Sequence, residues 1–215
     1  MKILSINGSP RGKFSNTNMM IDSLLRGFED LDSELNNIYL SEKNIKYCDG
    51  CYSCWFKTPG KCIIEDDMAG LLSFVSEADF IILGSPLYFN NISGTLKVFI
   101  DRLTALGGDP HKKISDKEDI HTVKLIFVSN CGFPYRNQFD VISLWINHFS
   151  KMLNANLIGE FYTTTGKVLT HPKDEQLKSR NNYLEFLTSC GRQYLKKQEL
   201  DVENKNQLQK NILDF

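Results

Sequence analysis

Strand-like and helix-like segments alternate five times along this chain, and that alternation restricts its folds more than any other feature. The strand-like runs are Met1 to Ile6, Leu35 to Leu40, Ala78 to Gly84, Val123 to Asn130 and Asn156 to Thr165. Helices are expected from Asn18 to Glu29, from Asp66 or Asp67 to Ser76, from Gly94 to Thr104, from Gln138 to Leu153 and from Asp174 to Lys197. Apolar residues recur at helical spacing in each: Val141, Leu144, Trp145, Phe149 and Met152 in the fourth, and Leu177, Leu184, Leu187, Cys190 and Tyr194 in the fifth. The run ADFIILG is apolar throughout, as expected of a strand covered on both faces. The pattern predicts an α/β fold, a parallel sheet between two helix layers. The 215 residues are expected to form one domain over 1–197, with a cysteine-rich insertion at 47–62 and a tail at 198–215, and Gly107 to Asp119 is expected as a polar surface excursion.

Sheets of this kind bind ligands beyond the carboxyl ends of their strands, where the strand order reverses. The three loops richest in chemistry follow strands one, three and four, so the topology would gather them into one site. The first, Asn7 to Thr17, lies between a buried strand and a helix N-terminus, where unpaired N–H groups meet the positive end of a helix dipole. Ser9, Ser15, Asn16 and Thr17 add short donors, and Arg11 and Lys13 add charge. The set suits a phosphate group, although Ser15 or Asn16 would serve equally as a plain helix cap. Three residues separate Gly8 from Gly12, and Phe14 follows Lys13, so neither the spacing nor the metal-holding hydroxyl of a nucleotide P-loop is present. A dinucleotide loop needs three close glycines and this one has two. A terminal monophosphate fits best.

Other classes recede on bulk numbers. Lys plus Arg is 25 against 26 for Asp plus Glu, which gives no charge for nucleic acid or an anionic membrane. No apolar run reaches membrane-spanning length and the start reads as a strand, so a cytoplasmic protein is expected. In that compartment Cys48, Cys51, Cys54, Cys62, Cys131 and Cys190 would stay reduced and point to metal, redox chemistry or packing. Cys131 and Arg136 enclose four residues, one short of a phosphatase nucleophile loop, and His111, His121, His148 and His171 have no partner pattern that nominates an acid or base.

The second loop, Pro86, Leu87, Tyr88, Phe89, Asn90 and Asn91, places aromatic faces and amides where a flat heterocycle can lie. The third offers Ser129, Asn130, Gly132 and Phe133, with Gly132 admitting a ring edge close to the backbone. Together with Gly8-Ser9-Pro10-Arg11, Ser15-Asn16-Thr17, Gly84-Ser85-Pro86-Leu87-Tyr88, Gly94-Thr95-Leu96-Lys97 and Phe99-Ile100-Asp101-Arg102, these residues resemble the NAD(P)H-dependent FMN reductases of the flavodoxin-like fold over roughly residues 1–165.

That resemblance implies a five-stranded sheet of order 2-1-3-4-5 and an FMN cofactor. Its phosphate would lie on Ser9, Arg11, Ser15, Asn16 and Thr17, and its ring on Pro86, Leu87, Tyr88, Phe89, Asn90, Ser129, Asn130 and Gly132. Asp101 and Arg102 are expected to be structural. NAD(P)H would deliver hydride to the flavin, which would reduce a quinone, a flavin, a nitroaromatic or a protein acceptor, with no catalytic residue of the chain's own. A flavodoxin-type electron carrier is the rival reading, weakened by the near-zero net charge. Exposed aromatics predict a homodimer or homotetramer, with the apolar end of the tail able to reach a neighbour. Cys48, Cys51 and Cys54, at two-residue spacing, with Cys62 seven residues on, resemble the ligands of the iron–sulfur flavoproteins, which implies a 4Fe-4S cluster. Zinc, free thiols, a reversible disulfide and a packed flap built on Trp55 and Pro59-Gly60 remain open beside it.

Overall fold

The computed structural model describes residues 1–29, 33–107 and 122–215. Most of the expected excursion at Gly107 to Asp119, with His111 and His121, lies outside them. In chain order the elements are β1 Lys2–Asn7, α1 Asn16–Phe28, β2 Glu34–Tyr39, α2 Ser53–Phe56, α3 Met68–Glu77, β3 Phe80–Pro86, α4 Gly94–Arg102, β4 Lys124–Asn130, α5 Asp140–Met152, β5 Asn156–Thr163, α6 Lys167–Thr170, α7 Leu177–Lys197 and α8 Val202–Gln207. All neighbouring strands are parallel, in the order β2-β1-β3-β4-β5. This is the expected three-layer, flavodoxin-like sandwich.

Period-two alternation sends each strand's side chains into two cores. Leu4, Ile6, Ile81, Leu83, Leu125 and Phe127 pack under α3, α4 and α5, while Ile3, Phe80, Ile82, Ile126 and Val128 pack under α1 and α7. Central β3 is buried at all seven positions, and parallel pairing between covered faces requires that apolarity. At the β5 edge the chain caps its own carbonyls, with Tyr194 Oη donating to Ile158 and Arg136 to Tyr162. Such capping removes acceptors that a foreign strand would otherwise use.

Three local expectations change. In α5 the buried residues are Ile142, Ile146 and Phe149, with Trp145 stacked on Phe149, whereas Val141, Leu144 and Met152 lie exposed. Leu177 is exposed, and Tyr183 and Phe186 take its place in the core. The residues after α7 fold back on their own chain. Leu200 and Ile212 are buried there, and Phe215 packs on Tyr183 and Phe186, while Leu213 stays exposed.

Candidate functional site

The loop after β1 is held by short-range bonds that leave its cations and helix terminus outward. Asn7 Oδ1 accepts from Ser9 N–H at 2.9 Å, Ser9 O from Gly12 N–H, and Ser15 Oγ from Asn18 N–H at 3.0 Å. Ser15 is therefore the cap of α1, and its own proton goes to Gly12 O. Gly12 has φ +51°, which glycine adopts at least cost. Ser9, Ser15 and Thr17 are buried, while Arg11 and Lys13 are exposed. Asn16 and Thr17 begin α1, where a helix offers its N–H groups no internal acceptor. The anion-binding potential thus rests on backbone N–H groups with Arg11 beside them, more than on the hydroxyls.

The three loops meet at the carboxyl end of the sheet. Pro86 is in register with Asn130, and Leu87 N–H donates to Asn130 O at 2.9 Å. Asn130 Nδ2 donates to Thr17 Oγ1 at 2.9 Å, joining the third loop to the first. Ser93, the cap of α4, donates from Oγ to Gly8 O at 2.5 Å and from N–H to Ser85 Oγ, joining the second. A Cβ on Gly8 would come within 2.6 Å of Leu96 Cβ, so a larger residue would push this loop off α4.

Tyr88 and Asn91 close a tight turn with Phe89 at φ 48° and Asn90 at φ 60°. For a phenylalanine that conformation is strained, and the ring is 104% exposed. Above Gly132 nothing stands within 4 Å of a built Cβ, which leaves room for a flat ring edge. Ser129 lies fully buried with its Oγ unpartnered, so its side chain does not face the open surface.

Sequence reasoning missed Asn7, Ser93 and a fourth loop, residues 164–170. Gly166 N–H bonds Cys131 O, and Thr170 Oγ1 donates to Asn16 Oδ1 at 2.7 Å. The signal for Ser93 was present, a serine directly before a helix.

Cys48 and Cys51 are exposed, and Cys54 and Cys62 half-buried, in a segment of few regular elements. The Cys54 thiol is pushed up, first by its burial and then by the charge of the neighbouring Cys62. Among the described residues no three Cys, His, Asp or Glu stand as a metal-binding group. Trp55 is partly buried, with Nε1 donating to Thr104 O at 2.7 Å and its ring against Gly107. The expected Asp101–Arg102 pair divides: Asp101 joins Lys97 on the surface, while Arg102, 2% exposed, joins Asp66.

The fold and these loops define a class, the flavodoxin-like α/β proteins. The match to the NADPH-dependent FMN reductases covers residues 1–166, and the chain belongs to that family. It is 41% identical over 113 residues to an iron–sulfur flavoprotein of Archaeoglobus fulgidus, a stretch covering 53% of this chain and 50% of the relative. The chain spans about half the length of the curated relatives it matches. Two solved structures share the fold. One is an FMN-dependent NADH-azoreductase of Bacillus anthracis in complex with FMN, with TM-score 0.66, 15% identity and coverage of 91% and 100% of the two chains. The other is an NAD(P)H:quinone oxidoreductase of Methanothermobacter marburgensis, with TM-score 0.64, 13% identity and coverage of 90% and 96%.

Proposed function

We propose that this protein is an FMN-dependent oxidoreductase that takes hydride from NAD(P)H and passes reducing equivalents to a small-molecule acceptor such as a quinone, flavin or nitroaromatic. The observation that carries the reading is the junction of the three loops, since Asn130–Thr17 and Ser93–Gly8 fix an anion-binding helix terminus beside an open aromatic ledge. The N–H groups of Asn16 and Thr17 with Arg11 hold the phosphate, Ser9 and Ser15 keep the loop in shape, and Pro86, Leu87, Tyr88, Phe89, Asn90, Asn130 and Gly132 frame the ring. Ser129 supports that frame from beneath. When bound, FMN supplies the hydride and single-electron chemistry, and the chain orients it and limits water at one face.

Arg11→Ala should raise the Kd for FMN by about tenfold or more and leave that for riboflavin within about twofold, because a charge-assisted contact of 1.5–3 kcal/mol exists only with the phosphate. Fluorescence titration with both flavins measures it. Equal loss for the two would refute this phosphate site.

A second reading, electron transfer through an iron–sulfur flavoprotein, is favoured by the similarity to the Archaeoglobus fulgidus relative of that name and by the sequence spacing of Cys48, Cys51, Cys54 and Cys62. Arg102 Nε is a buried donor without a partner, and it suits a sulfur acceptor. On this reading the four thiolates hold a 4Fe-4S cluster and the acceptor is another protein.

We also propose a homodimer or homotetramer. Phe89, Phe133, Tyr88 and the outer residues Val141, Leu144 and Met152 of α5 expose more large apolar surface than a small monomer usually leaves bare. Light scattering at micromolar concentration should give at least twice the chain mass of 24.6 kDa. A monomer mass removes the proposal.

A further inference from the structure

The cysteine segment is tied down at two places, both at the far end of α4 from Ser93. At its tip, Trp55 bonds Thr104 and packs on Gly107, in the turn that follows α4. At its neck the chain enters through 44–46 and leaves through 64–67, and these two stretches are cross-linked. Asn44 N–H donates to Asp67 Oδ2 at 2.7 Å, Asp67 N–H donates to Asn44 O at 3.1 Å, and Lys46 N–H donates to Asp66 Oδ2 at 2.8 Å.

Arg102 lies inside this neck. Its Nη1 donates to Lys46 O at 2.8 Å and to Asp66 Oδ2 at 2.6 Å, and its Nη2 to Asp66 Oδ1 at 3.0 Å and Ile64 O at 3.5 Å. Both side chains of the ion pair are shut off from solvent, at 1% and 0% exposure. A planar guanidinium with several fixed donors can bond both stretches and grip the Asp66 carboxylate with two nitrogens at once, a geometry that the single ammonium of a lysine does not reproduce.

We propose that Arg102 is the positioning residue of the cysteine segment: its bonds to the Lys46 and Ile64 carbonyls and to Asp66 close the neck of the loop bearing Cys48, Cys51, Cys54 and Cys62 and so fix their mutual arrangement. The inference deepens the reading of that segment as a second redox centre and rests on it only for its purpose. Outer contacts of this kind orient ligands and are felt in the retention of a metal centre. The same α4 whose cap Ser93 bonds Gly8 O thereby carries, nine residues and about 13 Å of helix rise further on, the anchor of the cysteine segment.

The test uses the full chain loaded with FMN and free of iron, alkylated with iodoacetamide at one fixed pH, with each cysteine followed by mass spectrometry. Arg102→Met paired with Asp66→Asn removes the clamp without stranding a charge. Cys54 and Cys62 should then react about tenfold faster while buried Cys190 stays unchanged, since only local opening is required. Unchanged rates at Cys54 and Cys62, or a parallel rise at all six cysteines, overturn the proposal. Should the paired variant fail to bind FMN, Arg102→Lys decides: faster Cys54 and Cys62 with Cys190 unchanged supports the clamp, and wild-type rates overturn it. Iron after anaerobic reconstitution is the separate arm. Retention in the wild type with at least a tenfold loss in the paired variant supports the clamp. A wild type that takes up no iron while the alkylation pattern shifts as expected also supports it, and discards the cluster alone.

Discussion

Asp66→Asn alone should lower the unfolding free energy by about 3–5 kcal/mol, the usual consequence of removing one partner from a buried ion pair. The replacement retains an acceptor for only one of Lys46 N–H and Met68 N–H, which bond different carboxylate oxygens, and leaves the Arg102 guanidinium charged and enclosed. Against a typical total of 5–15 kcal/mol the variant would stand near the edge of folding. Burial raises the Asp66 pKa, but its hydrogen bonds from Arg102, Lys46 and Met68 outweigh that and leave it below the ordinary carboxylate value. A depressed folded value means that the stabilisation is complete above the unfolded pKa, near 3.9, and is lost as pH falls through the folded one. The wild type should therefore lose this contribution only in strong acid, and the variant should lack it at every pH. Urea unfolding at neutral pH measures the difference, and a loss under about 1 kcal/mol would mean the pair is not the clamp described.

Gly191→Val should destabilise by about 2–3 kcal/mol and weaken FMN binding from a distance. A Cβ built at Gly191 stands 2.2 Å from Leu24 O and 3.1 Å from the Gly27 Cα, and one at Gly27 stands 2.2 Å from Thr188 O. Helices α1 and α7 touch backbone to backbone there, so any side chain forces them apart. The displaced helix would be α1, which supplies Asn16 and Thr17 to the anion loop. The urea midpoint should fall with an unchanged slope, and the FMN Kd should rise in the same variant. A midpoint within error of the wild type would contradict the close crossing.

What could be read from the sequence follows from which signals are local. β1, β3 and β4 were legible because short apolar runs between turn residues have few other uses, and the Asn7 to Thr17 loop because its donors are contiguous. The inner face of α5 was legible only at Trp145 and Phe149. Two stripes, Val141-Leu144-Met152 and Ile142-Ile146-Phe149, fit a helical period about one residue apart, and only the position of the sheet decides which is buried. Ser15 was expected either as a cap or as a phosphate ligand; it caps α1, with its proton bonded to Gly12 O. Nothing local joins Arg102 to Asp66, 36 residues earlier, or Thr170 to Asn16, 154 residues apart. Fold-level reasoning brings such loops to one end of the sheet, but the bonds between them depend on side-chain packing.

The central claim is that reducing equivalents pass from a nicotinamide to FMN held on these loops. Anaerobic mixing of the FMN-loaded protein with NADPH and, separately, with NADH tests it most directly, followed by the visible absorption of the flavin. The account predicts that the flavin bleaches with at least one donor and that the colour returns when a quinone is added. Full retention of the oxidised flavin spectrum with both donors, in protein shown to bind FMN, would contradict it.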